Sequence, residues 1–420
     1  MTDEAERQHT RFLAHLGATM AAANYPSPLI SELLDRASKA YGYNNSSIVL
    51  PSFVQVTGEP SARGTVVESV SPRADFRFEQ TFPLAKLIRD VLRERVTAAD
   101  GEARLTRLLD AAPRYPWWVT PLGYGVWSAG LSLVVEPSRL NLLIASVLGV
   151  FVGLLVKIGD RTPALANLVP VLSAFLVTSV CIEGAQWIGL DHVGLRAIIP
   201  PLAIFLPGAA ITLAVIELTS RDVVSGSARL IAGMMQLAQL AFGILVATQI
   251  FGVDEVPLTA DKANLLGPWA PWLGVLVYSV GVLFYLAPPL SFLPWLLVVA
   301  YLAFAGQYFG DKLLDSYAAG FLGGTVLMVA ALAVSRMPKS PPAMTMVMPG
   351  FWLLVPGGMG LIGFAEIFGA DGDDALPSTL ISMIAVSLGI QAGLALWQVS
   401  QRVKRPDSRP PTLPEPDLTP

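Results

Sequence analysis

The chain is poor in the residues from which metal centres, disulfides and many catalytic sites are built. Its 420 residues include one cysteine, Cys181, and three histidines. A single cysteine cannot form a disulfide within the chain, and without a Cys/His cluster no zinc site can be assembled. The GxxxxGK[ST] phosphate-binding loop is also missing from the sequence. We therefore expect neither an enzyme nor a resident metal or organic cofactor.

Charged residues are scarce as well. They make up 14% of the chain, whereas 53% of the residues are hydrophobic, a composition typical of integral membrane proteins. The net charge of −4 gives no basic surface for nucleic acid. Residues 1–20 lack the basic start and unbroken apolar core of a signal peptide, so we expect the N-terminus to stay in the cytosol.

Apolar residues form ten long segments after residue 115. Each is about 20 residues long, which is enough to span a bilayer. The segments lie near 116–135, 140–156, 163–189, 195–219, 229–251, 265–286, 289–308, 313–335, 342–368 and 378–399. We predict a membrane all-α fold with ten transmembrane helices, followed by a disordered Pro-rich tail at 401–420.

The first 115 residues are more polar and predict a soluble cytosolic α+β domain. Helical periodicity and runs of β-branched residues mark its elements. The predicted helices are 10–24, 27–41, 82–97 and 101–112, and the predicted strands are 47–57 and 65–70.

A proline-glycine pattern occurs twice in the membrane region. The first copy is Pro200, Pro207, Gly208 and Glu217, and the second, 149 residues later at every position, is Pro349, Pro356, Gly357 and Glu366. A shift of 149 also places the first five apolar segments on the second five. The sequence therefore predicts two five-helix repeats, at 116–251 and 265–400. Because five is an odd number, the repeats should have inverted topology.

The paired prolines and glycines predict helices that are broken inside the membrane. Proline removes a helix hydrogen bond and clashes with the preceding turn. A break exposes carbonyl groups that suit an ammonium group and a half-helix N-terminus that suits a carboxylate. We therefore predict a transport site for a zwitterionic amino acid at the two broken segments. Kinks that serve only helix packing are the alternative.

Polar side chains within the apolar segments are further candidates. Glu183, Glu217 and Glu366 are expected to carry a proton or to gate the site, since ionisable groups are expensive in a membrane. Capping of the membrane segments is the alternative for Glu217 and Glu366, and a position near the outer end of the third segment is the alternative for Glu183. Gln236 and Gln239 are three residues apart, share a helix face, and either line a polar path or bond between helices.

Basic residues in the loops predict the orientation of the chain. With a cytosolic N-terminus, nine Lys and Arg residues fall in inner loops and four fall in outer loops. The positive-inside rule therefore favours both termini in the cytosol.

Several of these residues together resemble the bacterial threonine/serine exporter family. The resemblance extends over about residues 12–400 and is carried by Tyr115-Pro116-Trp117-Trp118, Leu206-Pro207-Gly208, Glu217 and Gly226-Ser227-Ala228-Arg229. In the second half, Pro356 and Gly357 match as well. The sequence departs from the family at Ala210 and Leu213, where members often have Pro and Asn.

The resemblance implies a secondary transporter of the bacterial inner membrane. Such a protein would export small amino acids, threonine and serine among them, as an antiporter driven by the proton motive force. Its partners would be these amino acids and the lipid bilayer, with homo-oligomerisation left open. A non-transporting sensor or scaffold with a partner-binding cytosolic domain is one alternative, and a passive channel is another. Broken helices at membrane depth argue against a simple anchor.

Overall fold

The computed structural model describes residues 3–58, 65–187, 195–252, 266–313, 316–354 and 375–404. The chain divides into two compact units. The first consists of Met1–Arg114 together with Leu213–Leu230, and the second consists of Tyr115–Thr212 together with Ile231–Pro420. The soluble-domain sequence thus shares its unit with a short piece of the membrane-segment sequence.

In the first unit, helices surround a small antiparallel sheet. The helices of residues 1–114 are α1 (Asp3–Ala22), α2 (Ser27–Ala40), α3 (Thr81–Leu92) and α4 (Ala98–Leu109), with a 3₁₀ turn at Phe78–Gln80. The strands are β1 (Ser46–Val49), β2 (Val54–Thr57) and β3 (Val67–Val70), in the order β1-β2-β3. The register pairs Val49 with Val54 and Val54 with Val70.

Several predicted elements of this unit differ from the structure in their bounds; the helix expected at 10–24 begins at Asp3, and the helix expected at 101–112 is Ala98–Leu109. The strand expected at 47–57 is two strands joined by a turn, in which the Leu50 amide donates to the Phe53 carbonyl at 2.9 Å. Pro51 explains the turn, because proline cannot donate to a strand ladder. The helix expected at 82–97 ends at Leu92, and Glu94 takes a left-handed φ of 55° that closes the helix end.

The core of this unit is apolar and well enclosed. Phe12 and Leu13 of α1 and Val54 of β2 are fully buried.

His9 is 1% exposed and stacks on Tyr43, with 4.4 Å between ring centroids. Burial lowers the pKa of His9 to about 4, so this side chain is neutral at physiological pH.

The remaining helices follow one another from Val119 to Lys404. They are α5 (Val119–Val135), α6 (Arg139–Gly159), α7 (Pro163–Ala166), α8 (Val169–Trp187), α9 (Leu195–Leu202), α10 (Gly208–Thr219), α11 (Val223–Ile250), α12 (Ala270–Tyr285), α13 (Leu293–Leu313), α14 (Ser316–Val334), α15 (Ala343–Leu353) and α16 (Ala375–Lys404). Short 3₁₀ turns at Ala203–Phe205 and Leu290–Phe292 follow α9 and precede α13. Helices α10 and α11 contribute residues to both units.

Apolar helices are present in all ten predicted segments, which confirms the helical membrane class. Within the described residues, three helices are long and apolar enough to cross a membrane, namely Arg139–Gly159, Val223–Ile250 and Leu290–Leu313. A bent pair, Ala197–Phe205 with Gly208–Thr219, would make a fourth. The other six segments hold shorter apolar helices, so the number of ten spans stays a prediction.

Helices α5 and α12 are in backbone contact along their length, and we call this contact the α5–α12 seam. A Cβ atom on Gly130 would lie 2.2 Å from the Tyr278 backbone nitrogen. A Cβ atom on Gly281 would lie 2.2 Å from the Trp127 backbone nitrogen. Since the lower number in α5 faces the higher number in α12, the two helices run antiparallel. Small residues permit this approach, as they do in membrane helix pairs generally.

The seam contains a repeated motif that sequence analysis missed. Gly123-x₃-Trp127-Ser128-x-Gly130 in α5 matches Gly274-x₃-Tyr278-Ser279-x-Gly281 in α12. The two copies are 151 residues apart, two more than the spacing of the proline-glycine pattern. A search at a fixed spacing of 149 therefore does not find it.

We predict that Gly130→Ala destabilises the protein whereas Gly184→Ala does not. Both glycines are in apolar helices, but a Cβ atom on Gly184 meets nothing within 4 Å. The clash at Gly130 involves backbone atoms and should lower the free energy of unfolding by about 1–3 kcal/mol. Alanine at position 184 should raise helix stability by up to about 1 kcal/mol. Thermal unfolding of the purified variants in detergent measures both changes in stability. Equal melting temperatures for the two variants would contradict the close backbone contact of the seam.

Candidate functional site

The fourth apolar segment is broken immediately before Pro207. Leu206 has φ −68° and ψ 123°, an extended conformation, and the helices on its two sides are bent by 56°. Proline disfavours the helical conformation in the residue before it, which explains why the break falls at Leu206. The helix continues through Pro200 in α9 and through Pro349 in α15. These two prolines therefore remove a hydrogen bond without ending their helices.

Two buried tyrosines hold the proline-containing segments. The Tyr124 hydroxyl donates to the Pro201 carbonyl at 2.9 Å and accepts from the Ile204 amide at 3.0 Å. The Tyr278 hydroxyl donates to the Pro349 carbonyl at 2.6 Å. Each tyrosine belongs to the first helix of its half of the membrane region. The phenol groups thus bond to backbone atoms of the two proline-containing segments.

Aromatic rings surround Trp127 at the centre of the seam. Its ring centroid lies 5.4 Å from that of Tyr278, 5.1 Å from Tyr285 and 5.1 Å from Trp352. Tyr124 is 5.6 Å away in an edge-to-face arrangement. We call these five residues the aromatic cluster. Such geometries are favourable for aromatic pairs, so the cluster is a packed structure rather than a loose patch.

The broken segment also packs on the second proline-containing segment. A Cβ atom on Gly208 would lie 2.2 Å from Cε1 of Phe351, next to Trp352 in α15. Any larger side chain at position 208 would therefore displace Phe351. The contact brings the break at Leu206 and Pro207 beside α15 and the aromatic cluster.

Two donors of the aromatic cluster have no hydrogen-bond partner among the described residues. They are the buried indole Nε1 atoms of Trp127 and Trp352. A buried donor without a partner costs free energy and calls for an explanation. Indole N–H groups can donate to a carboxylate, and aromatic faces attract an ammonium group. The cluster therefore offers the chemistry that a zwitterionic amino acid requires.

Of the other site residues predicted from the sequence, three lie outside the described residues, namely Pro356, Gly357 and Glu366. Glu183 is exposed on α8. Gln236 and Gln239 are half-buried on α11. Gly233, one turn before Gln236, packs against the break, since its Cβ atom would lie 3.4 Å from Cβ of Pro207.

Glu217 is fully buried within the first unit, and both of its carboxylate oxygens accept hydrogen bonds. Oε1 accepts from the Ser27 amide at 3.0 Å and from the Ser27 hydroxyl at 2.9 Å. Nε of Arg229 lies 3.1 Å from Oε1 and 3.0 Å from Oε2. Arg229 is 12% exposed, so this is a largely buried ion pair.

Arg229 and Gly226, two of the family-motif positions, have physical roles in this part of the structure. Arg229 neutralises Glu217, and removing one partner of such a pair typically costs about 3–5 kcal/mol. Gly226 lets α11 approach α10, because its Cβ atom would lie 2.9 Å from the Leu218 backbone nitrogen.

Ser27 was not predicted, and its partner is 190 residues away in the sequence, so no local signal could have identified it. A proton-carrying role for Glu217 stays a prediction.

Curated relatives of the chain are fungal membrane proteins. The chain is 24% identical over 419 residues to "Pheromone-regulated membrane protein 10" of Candida glabrata, with 92% of this chain and 52% of that protein covered. The protein of the same name from Saccharomyces cerevisiae S288c is 25% identical over 317 residues, covering 72% and 80%. The chain thus spans about half the length of the Candida glabrata relative. No solved structure matches the chain.

A protein-family model described as "Putative threonine/serine exporter" (ThrE) matches residues 11–251. The matched range contains the break at Leu206, the buried pair of Glu217 and Arg229, and Gly226. The resemblance seen in these motifs is therefore confirmed. Since the match takes in more than half of the 420 residues, this chain belongs to the threonine/serine exporter family.

Proposed function

We propose that this protein is a proton-coupled secondary transporter that exports small amino acids, with threonine and serine as substrates. The observation that carries the proposal is the break at Leu206, because the adjacent Gly208 packs on α15 beside two buried indole donors that have no partner among the described residues. Family membership supports the class of transporter and the substrate class. An anchoring or sensing protein would have no need for a helix that is broken inside the membrane.

The substrate would bind between the break and the aromatic cluster. Its ammonium group would contact the backbone carbonyl of the extended residue before Pro207 and the face of Trp127. Its carboxylate would accept from the Trp127 indole, with the N-terminal end of α10 at Gly208 adding a favourable dipole.

The coupling proton would be carried by Glu366 or Glu183 rather than by Glu217. Glu366 follows the second proline-glycine pair by the same step as Glu217 follows the first. Both oxygens of Glu217 are held by Ser27 and Arg229, so protonation there would have to disrupt a buried ion pair. An ionisable side chain in an apolar segment is a functional candidate by default.

The membrane domain would consist of ten spans arranged as an inverted 5+5 repeat. An apolar helix in each predicted segment and the antiparallel α5–α12 seam support this arrangement. The nine-to-four excess of basic residues in the inner loops supports cytosolic N- and C-termini. A bacterial inner membrane is the location that the exporter resemblance suggests.

The seam predicts opposite accessibility for the ends of α5 and α12. Arg139 and Leu290 are exposed and follow these helices closely. Cysteines introduced at the two positions in a Cys181→Ala background should react with a membrane-impermeant maleimide from opposite sides of sealed vesicles. Ser138 is less suitable for labelling because it caps α6. Labelling of both positions from the same side would contradict the inverted repeat.

Transport itself is tested in proteoliposomes loaded with an acidic buffer. Wild-type protein should accumulate threonine against its gradient, and Pro207→Ala should reduce the rate at least tenfold, because Leu206 is then free to become helical. Pro113→Ala, in an exposed position before the membrane region, is the matched control.

Three outcomes would oppose the proposal. Inserted wild-type protein without threonine or serine flux would reject transport of these substrates. Flux that follows the threonine gradient and ignores the pH gradient would identify a channel. Normal uptake by Pro207→Ala would show that the break serves packing only.

A further inference from the structure

Helix α2 begins without a cap from its own segment. Its N-cap residue, Pro26, makes no side-chain hydrogen bond, and Pro28 has no amide hydrogen. Both the amide and the hydroxyl of Ser27 donate to Glu217 instead. A carboxylate at a helix N-terminus satisfies free amides and is stabilised by the helix dipole. A residue of α10 therefore caps a helix near the start of the chain.

Glu217 sits in a helix pair, Leu213–Leu230, which we call the α10–α11 hairpin. Its turn places Arg221 at a left-handed φ of 66°, and the Asp222 amide donates to the Glu217 carbonyl at 2.9 Å. The Asp222 carboxylate then accepts from the Ser225 amide at 3.3 Å and starts α11. Because the turn is closed at both helix ends, Glu217 and Arg229 are held facing each other.

The same helix leads directly to the break. Helix α10 runs without interruption from Gly208 to Thr219, and Gly208 follows Pro207. Its 12 residues form a stiff rod of about 18 Å. If Glu217 were displaced, α10 would therefore move with it, and the backbone angle would change at the extended residue Leu206.

From this connection we infer that Ser27, Glu217 and Arg229 are positioning residues through which the N-terminal domain controls the transport site. The three side chains fix α10, and α10 fixes the angle at Leu206. The inference rests on the proposed transport function and assigns the N-terminal domain a gating role. Glu217 then acts by holding α10, and the coupling proton is carried elsewhere.

The connection itself is tested by hydrogen exchange on the full chain in nanodiscs. Ser27→Ala, Glu217→Gln and Arg229→Gln should each speed amide exchange about tenfold in the first turn of α2 and in residues 213–230, as loss of a hydrogen bond to a charged group implies. Thr219→Ala and Arg161→Gln are controls, since both side chains are exposed and outside the ion pair. Unchanged exchange in the three variants would overturn the inference. Arg229→Lys, which keeps the charge but changes the donor geometry, replaces any variant that fails to fold.

Transport by the same variants separates positioning from proton carriage. If the three residues position α10, uptake driven by a pH gradient and exchange down a threonine gradient should fall together, at least fivefold. Ser27→Ala removes no charge, so its effect cannot come from a lost proton carrier. Loss of pH-driven uptake alone in Glu217→Gln, with normal transport by Ser27→Ala and Arg229→Gln, would overturn the inference. Absence of transport by the wild-type protein would reject the proposed function, and the gating role with it, while the exchange result still reports on the connection.

Discussion

The close backbone approach of α5 and α12 is the contact on which the membrane-region structure depends. Gly130 and Gly281 permit it, and no side chain could occupy either position without moving a backbone. The approach sets Trp127 against Tyr278 and directs the phenols of Tyr124 and Tyr278 to the carbonyls of Pro201 and Pro349. One packing interaction thus positions both proline-containing segments and builds the aromatic cluster between them.

The broken fourth segment is held on both sides of its break. On the α9 side, Tyr124 satisfies the Pro201 carbonyl and the Ile204 amide where regular helical bonding ends. On the α10 side, Glu217 is held by Ser27 and Arg229. Leu206, between the two, has an extended backbone that proline enforces. The 56° bend of the segment therefore falls at a residue that lies between two held helices.

Sequence reasoning identified the helical membrane class, the break before Pro207 and Gly208, and the family, because each has a local signal. Proline acts on its immediate neighbours, and apolar length is visible in any window. The α5–α12 seam was missed because its motif is offset by two residues from the proline-glycine spacing. Ser27 was missed because only tertiary folding brings it to Glu217. Trp127 was missed because a buried tryptophan in an apolar helix looks in sequence like any other core residue.

Equilibrium binding of radiolabelled threonine to purified protein tests most directly whether the aromatic cluster is the substrate site. Trp127→Phe keeps an aromatic ring at position 127 and removes the indole N–H donor. Trp269→Phe is the control, because it makes the same change at an exposed tryptophan at the start of α12. We predict that Trp127→Phe weakens binding about tenfold or more, the effect of losing a hydrogen bond to a charged group, and that Trp269→Phe binds as wild type. Equal threonine affinity in the wild-type protein and in Trp127→Phe would contradict a substrate site at the aromatic cluster.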